Sequence, residues 1–389
     1  MERIPDNEMT NSLQERIQSI DYLRGAIMVL MAIDHVRVYA GVPAGGPEPA
    51  IFFTRWVTHF CAPGFVFFTG VSAFLYGKKV NNKKDLSFFL FTRGLLLVFL
   101  ELTLIRFSWT FNFNYAQFTL AGVIWMLGWC MIIMAVLSRL KPMAVGIIGI
   151  LIIFGQQVFS KVPGIFPSSF HQVFGWFWEF VYPSGLEGVP GITILYVLVP
   201  WIGVMAAGYG FAPILLLEEK RRNKICWLLG ITATLLFIII GSIVSAEKQP
   251  DDELPFLLRL LNQRKYPASP LFLLMTLGPI IALIPYAEKA NGWMARVLMV
   301  FGAVPMFYYL LHISVIHVSA LIVNLIVKGA PHSELYNSAP YTWFENTAPW
   351  SLGLLYLVFI FDVVLLFIFC VTYSGFKQSR PKTRWLKYL

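Results

Sequence analysis

Charge is scarce in this sequence. Asp, Glu, Lys and Arg together make up 13% of the 389 residues, whereas an ordinary soluble domain carries about 25%. Hydrophobic residues make up 57%, and they include 34 Phe, 16 Tyr and 12 Trp. So few charges on so apolar a chain exclude a water-soluble enzyme, and the same composition excludes a disordered or collagen-like chain.

Cysteine is also scarce, and no metal-binding or redox pattern is present. The sequence has neither a CxxC pair nor a Cys/His spacing typical of zinc sites, so we expect no metal. We interpret the four cysteines as small buried hydrophobic residues: Cys61, Cys130, Cys226 and Cys370. No apolar stretch precedes residue 20, so we expect the first span, rather than a cleavable signal peptide, to direct insertion.

Long apolar runs recur along the whole chain, each near the length of about 20 residues that crosses a bilayer. They predict an all-α, polytopic integral membrane protein with about ten transmembrane helices, at residues 20–40, 56–76, 87–106, 116–138, 143–159, 190–217, 225–244, 270–286, 297–327 and 350–373. No internal repeat is evident. We therefore expect one membrane domain at 20–373, a cytoplasmic tail at 1–19 and a basic cytoplasmic tail at 374–389.

The net charge of +9 reflects membrane orientation rather than a nucleic-acid partner. If the N-terminus is cytoplasmic, about two thirds of the 30 Lys and Arg residues fall on the cytoplasmic side of the ten spans. This excess is typical of cytoplasmic loops and fits an even number of spans, with both termini inside. The lipid bilayer is thus the first partner that the sequence implies, whereas the oligomeric state stays open.

Ionisable residues inside a span are costly and are candidates for function. The first span contains Arg24, Asp34, His35 and Arg37. Arg24 and His35 are eleven residues apart, which places them about 20° from the same helix face and about 16 Å apart along the axis. Asp21 lies one turn before Arg24 and is expected to pair with it, while Asp34 is expected to pair with Arg37 or with another span. The structural alternative is that Arg24 reaches the headgroups and the others form a satisfied cluster.

Besides Arg37, further polar residues are candidates for binding the acceptor substrate. Tyr308 and His312, four residues apart in the ninth span, share a face. Arg264 and Lys265 stand where an outer loop re-enters the membrane, and would bind an anionic sugar or headgroup. His59 in the second span would lie near His35 if consecutive helices pack as an antiparallel pair. The alternatives are interhelical hydrogen bonds for the histidines and a capping role for the two cations.

Four segments resemble a known family. Arg24-Gly25 followed by His35 resembles the acyltransferase-3 type of transmembrane acyltransferase. More narrowly, the sequence is similar to bacterial proteins related to heparan-alpha-glucosaminide N-acetyltransferase in SIDYLRGAIMVLMAIDH (19–35), RWVTHFCAPGFVFFTGVSAFLYGKK (55–79), KYPASPLFLLMTLGP (265–279) and FGAVPMFYYLLHISVIH (301–317). The order of these segments is more specific than the first motif alone.

The resemblance implies an enzyme of the bacterial inner (plasma) membrane. It would move an acetyl or other acyl group from cytoplasmic acyl-CoA to a sugar, glycan or cell-envelope acceptor at the outer face. Arg24, held by Asp21, would bind the phosphates of acetyl-CoA, because arginine binds phosphate through paired donors. His35 would act as a general base or as a nucleophile.

One departure from the family leaves the key histidine open. In the lysosomal members the histidine taken as catalytic lies beyond the first span, and the loop 41–50 contains no histidine here. The role falls on His35 or His59, and we favour His35. Asp34 lies about 100° from His35 around the helix, so its own candidate role is to orient a catalytic histidine from another helix.

Two other classes of function compete with the acyltransferase. A transporter or lipid flippase would use the buried Asp, His and Arg residues as a proton relay. A non-catalytic assembly component of the envelope would show neither transport nor acyl transfer. Glu101, in the third span, is expected to be a structural charge.

Overall fold

The computed structural model describes residues 6–116, 119–165, 167, 175, 177–183, 191–247, 254–329, 349–380 and 383. Within these residues the chain is helical almost throughout. The helices are α1 Asp6–Tyr39, α2 Pro49–Trp56, α3 Cys61–Val80, α4 Lys83–Leu100, α5 Arg106–Thr110, α6 Val123–Leu137, α7 Pro142–Gly155, α8 Trp201–Phe211, α9 Glu219–Ala246, α10 Phe256–Leu261, α11 Pro270–Ala287, α12 Gly292–Ala303, α13 Pro305–Lys328 and α14 Leu352–Ser379.

Short irregular elements join or extend several helices. A 3-10 turn at Val57–Phe60 joins α2 to α3, and a π-helical turn at Glu101–Ile105 joins α4 to α5. Two-residue strands, β1 Leu120–Ala121 and β2 Thr193–Ile194, pair in parallel before α6 and α8. Further 3-10 turns follow α7 and α8.

The prediction of an all-α polytopic membrane protein is confirmed. Seven helical stretches of the described chain are long and apolar enough to cross a membrane, and three shorter apolar helices accompany them. The seven are Pro49–Val80, Lys83–Thr110, Pro142–Lys161, Glu219–Ala246, Pro270–Ala287, Pro305–Val327 and Leu352–Ser379. Helix α1 stands apart from these seven because its apolar part carries Asp21, Arg24, Asp34 and Arg37.

Some predicted boundaries differ from the structure. Helix α1 begins at Asp6, inside the segment predicted as a tail, and α14 continues to Ser379, beyond the predicted end of the last span. Residues 1–5, 381–382 and 384–389 of the two predicted tails lie outside the described residues. Hydrophobicity locates only the apolar part of a helix, so it does not predict polar turns that extend the helix into water.

The ninth predicted span is two helices. Helix α12 ends at Ala303, Val304 has φ −129° and ψ 50°, and α13 begins at Pro305. Proline has no N–H to donate and disfavours helical geometry in the residue before it, so the helix stops at Val304 and restarts with proline in the first turn. The break lets α12 and α13 contact α1 separately.

Helix α12 approaches α1 closely because both carry glycine at the crossing. A Cβ atom added at Gly25 would lie 1.9 Å from the carbonyl oxygen of Leu298, and one added at Gly302 would lie 1.8 Å from that of Asp21. Small residues that allow backbones to meet are typical of helix packing in membranes. The glycine of the Arg24-Gly25 motif therefore has a packing reason, independent of any ligand.

We expect Gly302→Val to destabilise the protein, since its side chain would collide with the backbone of α1. Overpacking costs about 1–3 kcal/mol, so the apparent melting temperature in detergent should fall by several degrees. Gly375→Val is the matched control, because Gly375 lies on α14 with nothing within 4 Å of an added Cβ. Equal melting temperatures of the two variants would contradict the close crossing.

Candidate active site

Two adjoining cavities lie inside the helix bundle. The smaller, which we call the histidine cavity, has a volume of about 50 Å³, and its polar lining includes Asp34, His35, Glu101, Lys265 and Tyr309. The larger, which we call the cation cavity, has a volume of about 430 Å³, and its lining includes the cations Arg24, Arg93 and Lys377.

The two cavities share part of their walls. Phe65 of α3, Val123 of α6 and Tyr309 of α13 line both. Helix α1 contributes Arg24 to the cation cavity and His35 to the histidine cavity. These residues are about 16 Å apart along the axis, so the cavities follow one another along α1. The spacing noted in the sequence allows one helix to serve both.

His35 is hydrogen-bonded to a second histidine. Its Nδ1 lies 2.7 Å from Nε2 of His312, and His312 Nδ1 lies 2.6 Å from the carbonyl oxygen of Tyr309. A carbonyl oxygen only accepts hydrogen bonds, so His312 Nδ1 must carry the proton. In a neutral His312, Nε2 then accepts, and His35 Nδ1 is the donor. This order leaves Nε2 of a neutral His35 as the nitrogen able to take up a proton.

Aromatic rings surround the histidine pair. Trp109 lies edge-on to His35 with ring centroids 5.1 Å apart, and Tyr308 stacks on His312 at 5.4 Å. Tyr308 is completely buried, and its hydroxyl donates to the Met28 carbonyl at 2.9 Å. Neither His312 nor Tyr308 lines either of the two cavities. The structure thus places these two candidate acceptor-binding residues behind His35, where they support it.

The other two charged residues at the His35 end of α1 pair with each other. Arg37 donates from Nε and Nη2 to Asp34 Oδ1, at 3.1 and 3.0 Å, and from Nη1 to the Val42 carbonyl at 2.8 Å. The expected pairing of Asp34 with Arg37 is therefore present. Asp34 lines the histidine cavity, whereas Arg37, the other candidate for substrate binding, does not. Arg37 holds the Asp34 carboxylate in place.

The structure separates the adjacent cations Arg264 and Lys265. The Lys265 side chain is buried and lines the histidine cavity, while Arg264 is exposed and lines neither cavity. Burial acts to lower the pKa of Lys265, but Tyr266 and Asp34 act to raise it and leave it above its ordinary value. Lys265 is therefore charged at neutral pH, and only this member of the pair reaches the cavity.

His59 lies near the histidine cavity without lining it. Its ring packs on Phe272 with centroids 5.4 Å apart, and neither ring nitrogen has a hydrogen-bond partner among the described residues. Its neighbours Thr58 and Cys61 do line the cavity. In the part of the chain that the structure describes, no group of three or more His, Cys, Asp or Glu side chains is placed to hold a metal ion.

Glu101 belongs to the cavity wall as well as to the helix packing. Its Oε2 accepts from the backbone N–H groups of Ile124 and Trp125, at 3.1 and 3.2 Å. The N–H groups of the first turn of a helix have no partner within it, and a carboxylate is favoured there by the helix dipole. Glu101, in the π-helical turn after α4, therefore caps α6 beside His35.

Arg24 is held by two neighbours at the cation cavity. It donates to Asp21 Oδ1 at 3.2 Å and to Ser72 Oγ at 2.7 Å. The expected Asp21–Arg24 pair is thus present, although Asp21 itself does not line the cavity. Arg93, within the predicted third span, and Lys377, in the segment predicted as the basic tail, join Arg24 there. Three cations from three helices make this cavity suited to an anionic ligand.

The sequence that forms this site also matches a known family. Residues 16–243, more than half of the chain, match the family described as heparan-alpha-glucosaminide N-acetyltransferase, catalytic. The chain belongs to this family. None of the curated proteins compared with it matches.

Membership of the heparan-alpha-glucosaminide N-acetyltransferase family makes this a membrane protein of an acetyltransferase family. The matched region includes Arg24, His35 and Glu101, and it ends before Lys265 and His312. The site residues beyond the matched region are Lys265, which lies between α10 and α11, Tyr309 and His312 on α13, and Lys377 on α14. Tyr309 has no charge and no motif spacing to mark it, which is why the sequence did not single it out.

The hydrogen-bond order predicts an unusual tautomer for both histidines. We expect His35 and His312 to carry their protons on Nδ1 at neutral pH, because the Tyr309 carbonyl fixes the direction of both hydrogen bonds. Nitrogen-15 NMR of histidine-labelled protein in lipid measures which ring nitrogen carries the proton. The variants His35→Gln and His312→Gln assign the signals. A proton on Nε2 of either ring would contradict this order of hydrogen bonds.

Proposed function

We propose that this protein transfers an acetyl group from cytoplasmic acetyl-CoA to a sugar, glycan or other cell-envelope acceptor at the opposite face of a bacterial inner (plasma) membrane. The observation that carries the proposal is the pair of adjoining cavities, one lined by cations and the other containing His35. A CoA thioester has the same two-part character, with anionic phosphates at one end and a reactive carbonyl at the other.

The cation cavity is the proposed donor site. Arg24, Arg93 and Lys377 would bind the CoA phosphates, and the pantetheine arm would extend towards Phe65, Val123 and Tyr309, the residues that both cavities share. Charge-assisted hydrogen bonds to phosphate are about twice as strong as neutral ones. The Lys377 end of α14 is the cytoplasmic end in the orientation expected from the loop charges.

The histidine cavity is the proposed reaction chamber. An acceptor amine or hydroxyl attacks the thioester carbonyl carbon, and His35 Nε2 takes the proton that the acceptor loses. The carbon–sulfur bond then breaks, and His35 returns the proton to the departing CoA sulfur.

His312 and Asp34 have supporting parts in this mechanism. The Tyr309 carbonyl and His312 hold His35 in the tautomer whose Nε2 acts as the base. A hydrogen-bonded partner fixes the tautomer of a catalytic histidine in the same way in the Ser-His-Asp triad. Asp34 lies in the same cavity, and its charge favours the imidazolium that forms during transfer. We favour direct transfer with both substrates bound, since two adjoining cavities can hold them together.

Purified protein in lipid nanodiscs should release CoA thiol from acetyl-CoA when an oligosaccharide acceptor with free amino groups is supplied. His35→Gln should lower kcat by at least about 100-fold, because a general base contributes that much. His59→Gln is the control, and we expect it to keep most of the activity. Loss of activity in His59→Gln alone would transfer the role to His59.

The same preparation separates the alternatives. Uptake or lipid movement in proteoliposomes without acetyl-CoA consumption would replace the acetyltransferase with a transporter or flippase. One equivalent of CoA released in the absence of acceptor would indicate an acetyl-histidine intermediate in place of direct transfer.

The donor site makes a separate prediction. Arg93→Met or Lys377→Met should raise the KM for acetyl-CoA by at least about tenfold with little change in kcat, since each removes a charged contact of about 1.5–3 kcal/mol made in both ground and transition states. Arg380→Met is the control, because Arg380 is exposed and its guanidinium packs on the Phe376 ring. A fall in kcat at unchanged KM would contradict a role in phosphate binding.

A further inference from the structure

Lys265 is a buried cation in the wall of the proposed reaction chamber. It follows α10 and precedes α11, its side chain is 8% exposed, and it lines the histidine cavity. Its Nζ lies 5.2 Å from the centroid of the Tyr266 ring and 5.9 Å from that of Tyr196. Both tyrosines also line the cavity. Aromatic faces attract a cation, so the two rings fix the ammonium group at this wall.

The backbone around Lys265 is held at both ends. Lys265 forms a β-bridge with Ala268, and the Ser269 N–H donates to the Arg264 carbonyl at 2.9 Å. The Ser269 hydroxyl in turn accepts from the Phe272 N–H at the start of α11. The lysine is therefore presented by a short closed turn at the end of a transmembrane helix.

A buried ammonium group is costly unless an opposite charge compensates it. Asp34, which lines the same cavity, is the carboxylate that acts on Lys265. However, Asp34 Oδ1 already accepts two hydrogen bonds from Arg37. One carboxylate thus acts on two cations, and Lys265 keeps its charge while it faces the cavity.

Acyl transfer creates negative charge in the same space. When the acceptor attacks, the carbonyl π electrons of the thioester move to its oxygen, and this oxyanion must be stabilised until the carbon–sulfur bond breaks. Enzymes often use the N–H groups at a helix N-terminus for this purpose. Here the N–H groups of Ile124 and Trp125 at the start of α6 already donate to Glu101.

We propose that the Lys265 ammonium group stabilises the oxyanion of the thioester carbonyl while His35 takes the proton of the acceptor. Among the described residues that line the histidine cavity, Lys265 is the one with a permanently cationic side chain. Arg37 does not line this cavity, and Arg24, Arg93 and Lys377 line the cation cavity instead. This role rests on the proposed acetyltransferase function.

The competing role for Lys265 is recognition of an anionic acceptor, and the two roles differ in one measurable respect. An oxyanion forms whenever the thioester is attacked, including the slow attack by water. Loss of an oxyanion donor therefore slows both acetyl transfer and acceptor-free hydrolysis of acetyl-CoA. Loss of an acceptor contact raises the acceptor KM and leaves hydrolysis unchanged.

The experiment compares Lys265→Met with Arg264→Met in the full-length protein in nanodiscs. We expect Lys265→Met to lower kcat for transfer and the rate of hydrolysis by a similar factor, about 100- to 1,000-fold, with an unchanged KM for acetyl-CoA. Arg264→Met, which removes an exposed cation one residue away, should leave both rates near wild type. Lys265→Arg, which keeps the charge, should recover part of both, and its melting temperature serves as the check on folding.

Each outcome decides the question. If Lys265→Met raises only the acceptor KM, Lys265 binds the acceptor and the oxyanion role is overturned. The role is also overturned if transfer slows while hydrolysis is unaffected, or if Lys265→Arg is as slow as Lys265→Met with an intact fold. A wild-type protein that does not consume acetyl-CoA overturns the proposed function itself, and this role of Lys265 with it.

Discussion

The hydrogen bond between His35 Nδ1 and His312 Nε2 is the contact on which the histidine cavity depends. It joins α1 to α13 at 2.7 Å, and its direction is set at the far end by the backbone carbonyl of Tyr309. An unpaired polar group in a buried network of hydrogen bonds is costly. The hydrogen bond that each group makes therefore determines whether the next group donates or accepts. Tyr309 also lines both cavities. The residue whose carbonyl orients the two histidines therefore also forms part of the boundary between the proposed donor site and the histidine cavity.

Helix α1 can serve both cavities only because two other helices reach it separately. Glycines at positions 25 and 302 bring α12 against the Arg24 end of α1, and the break at Val304 then allows α13 to pack beside the His35 end. A single straight helix through residues 292–328 would not supply both contacts. Pro305, which begins α13 after the break, therefore helps to place His312 beside His35.

The sequence predicted those features that depend on neighbours along the chain. The all-α membrane fold, the pairs Asp21–Arg24 and Asp34–Arg37, and the common face of Arg24 and His35 all follow from hydropathy and helix periodicity. The contact between His35 and His312, and the arrival of Arg93 and Lys377 at the Arg24 cavity, require knowing which helices pack together. No pattern within one span carries that information. Glu101 shows the same limit, since its role depends on the start of another helix.

Buried charges in the described part of this protein differ in what compensates them. The charge of Arg37 is compensated by Asp34, and that of Arg222 by Glu288. The charge of Glu101 is compensated by backbone N–H groups in the first turn of α6. Each of these partners belongs to the protein, so burial is satisfied without a ligand. Lys265, by contrast, faces a cavity and shares its carboxylate with Arg37. A charged side chain that faces a cavity is placed where a ligand or a transition state can bring a negative charge to it.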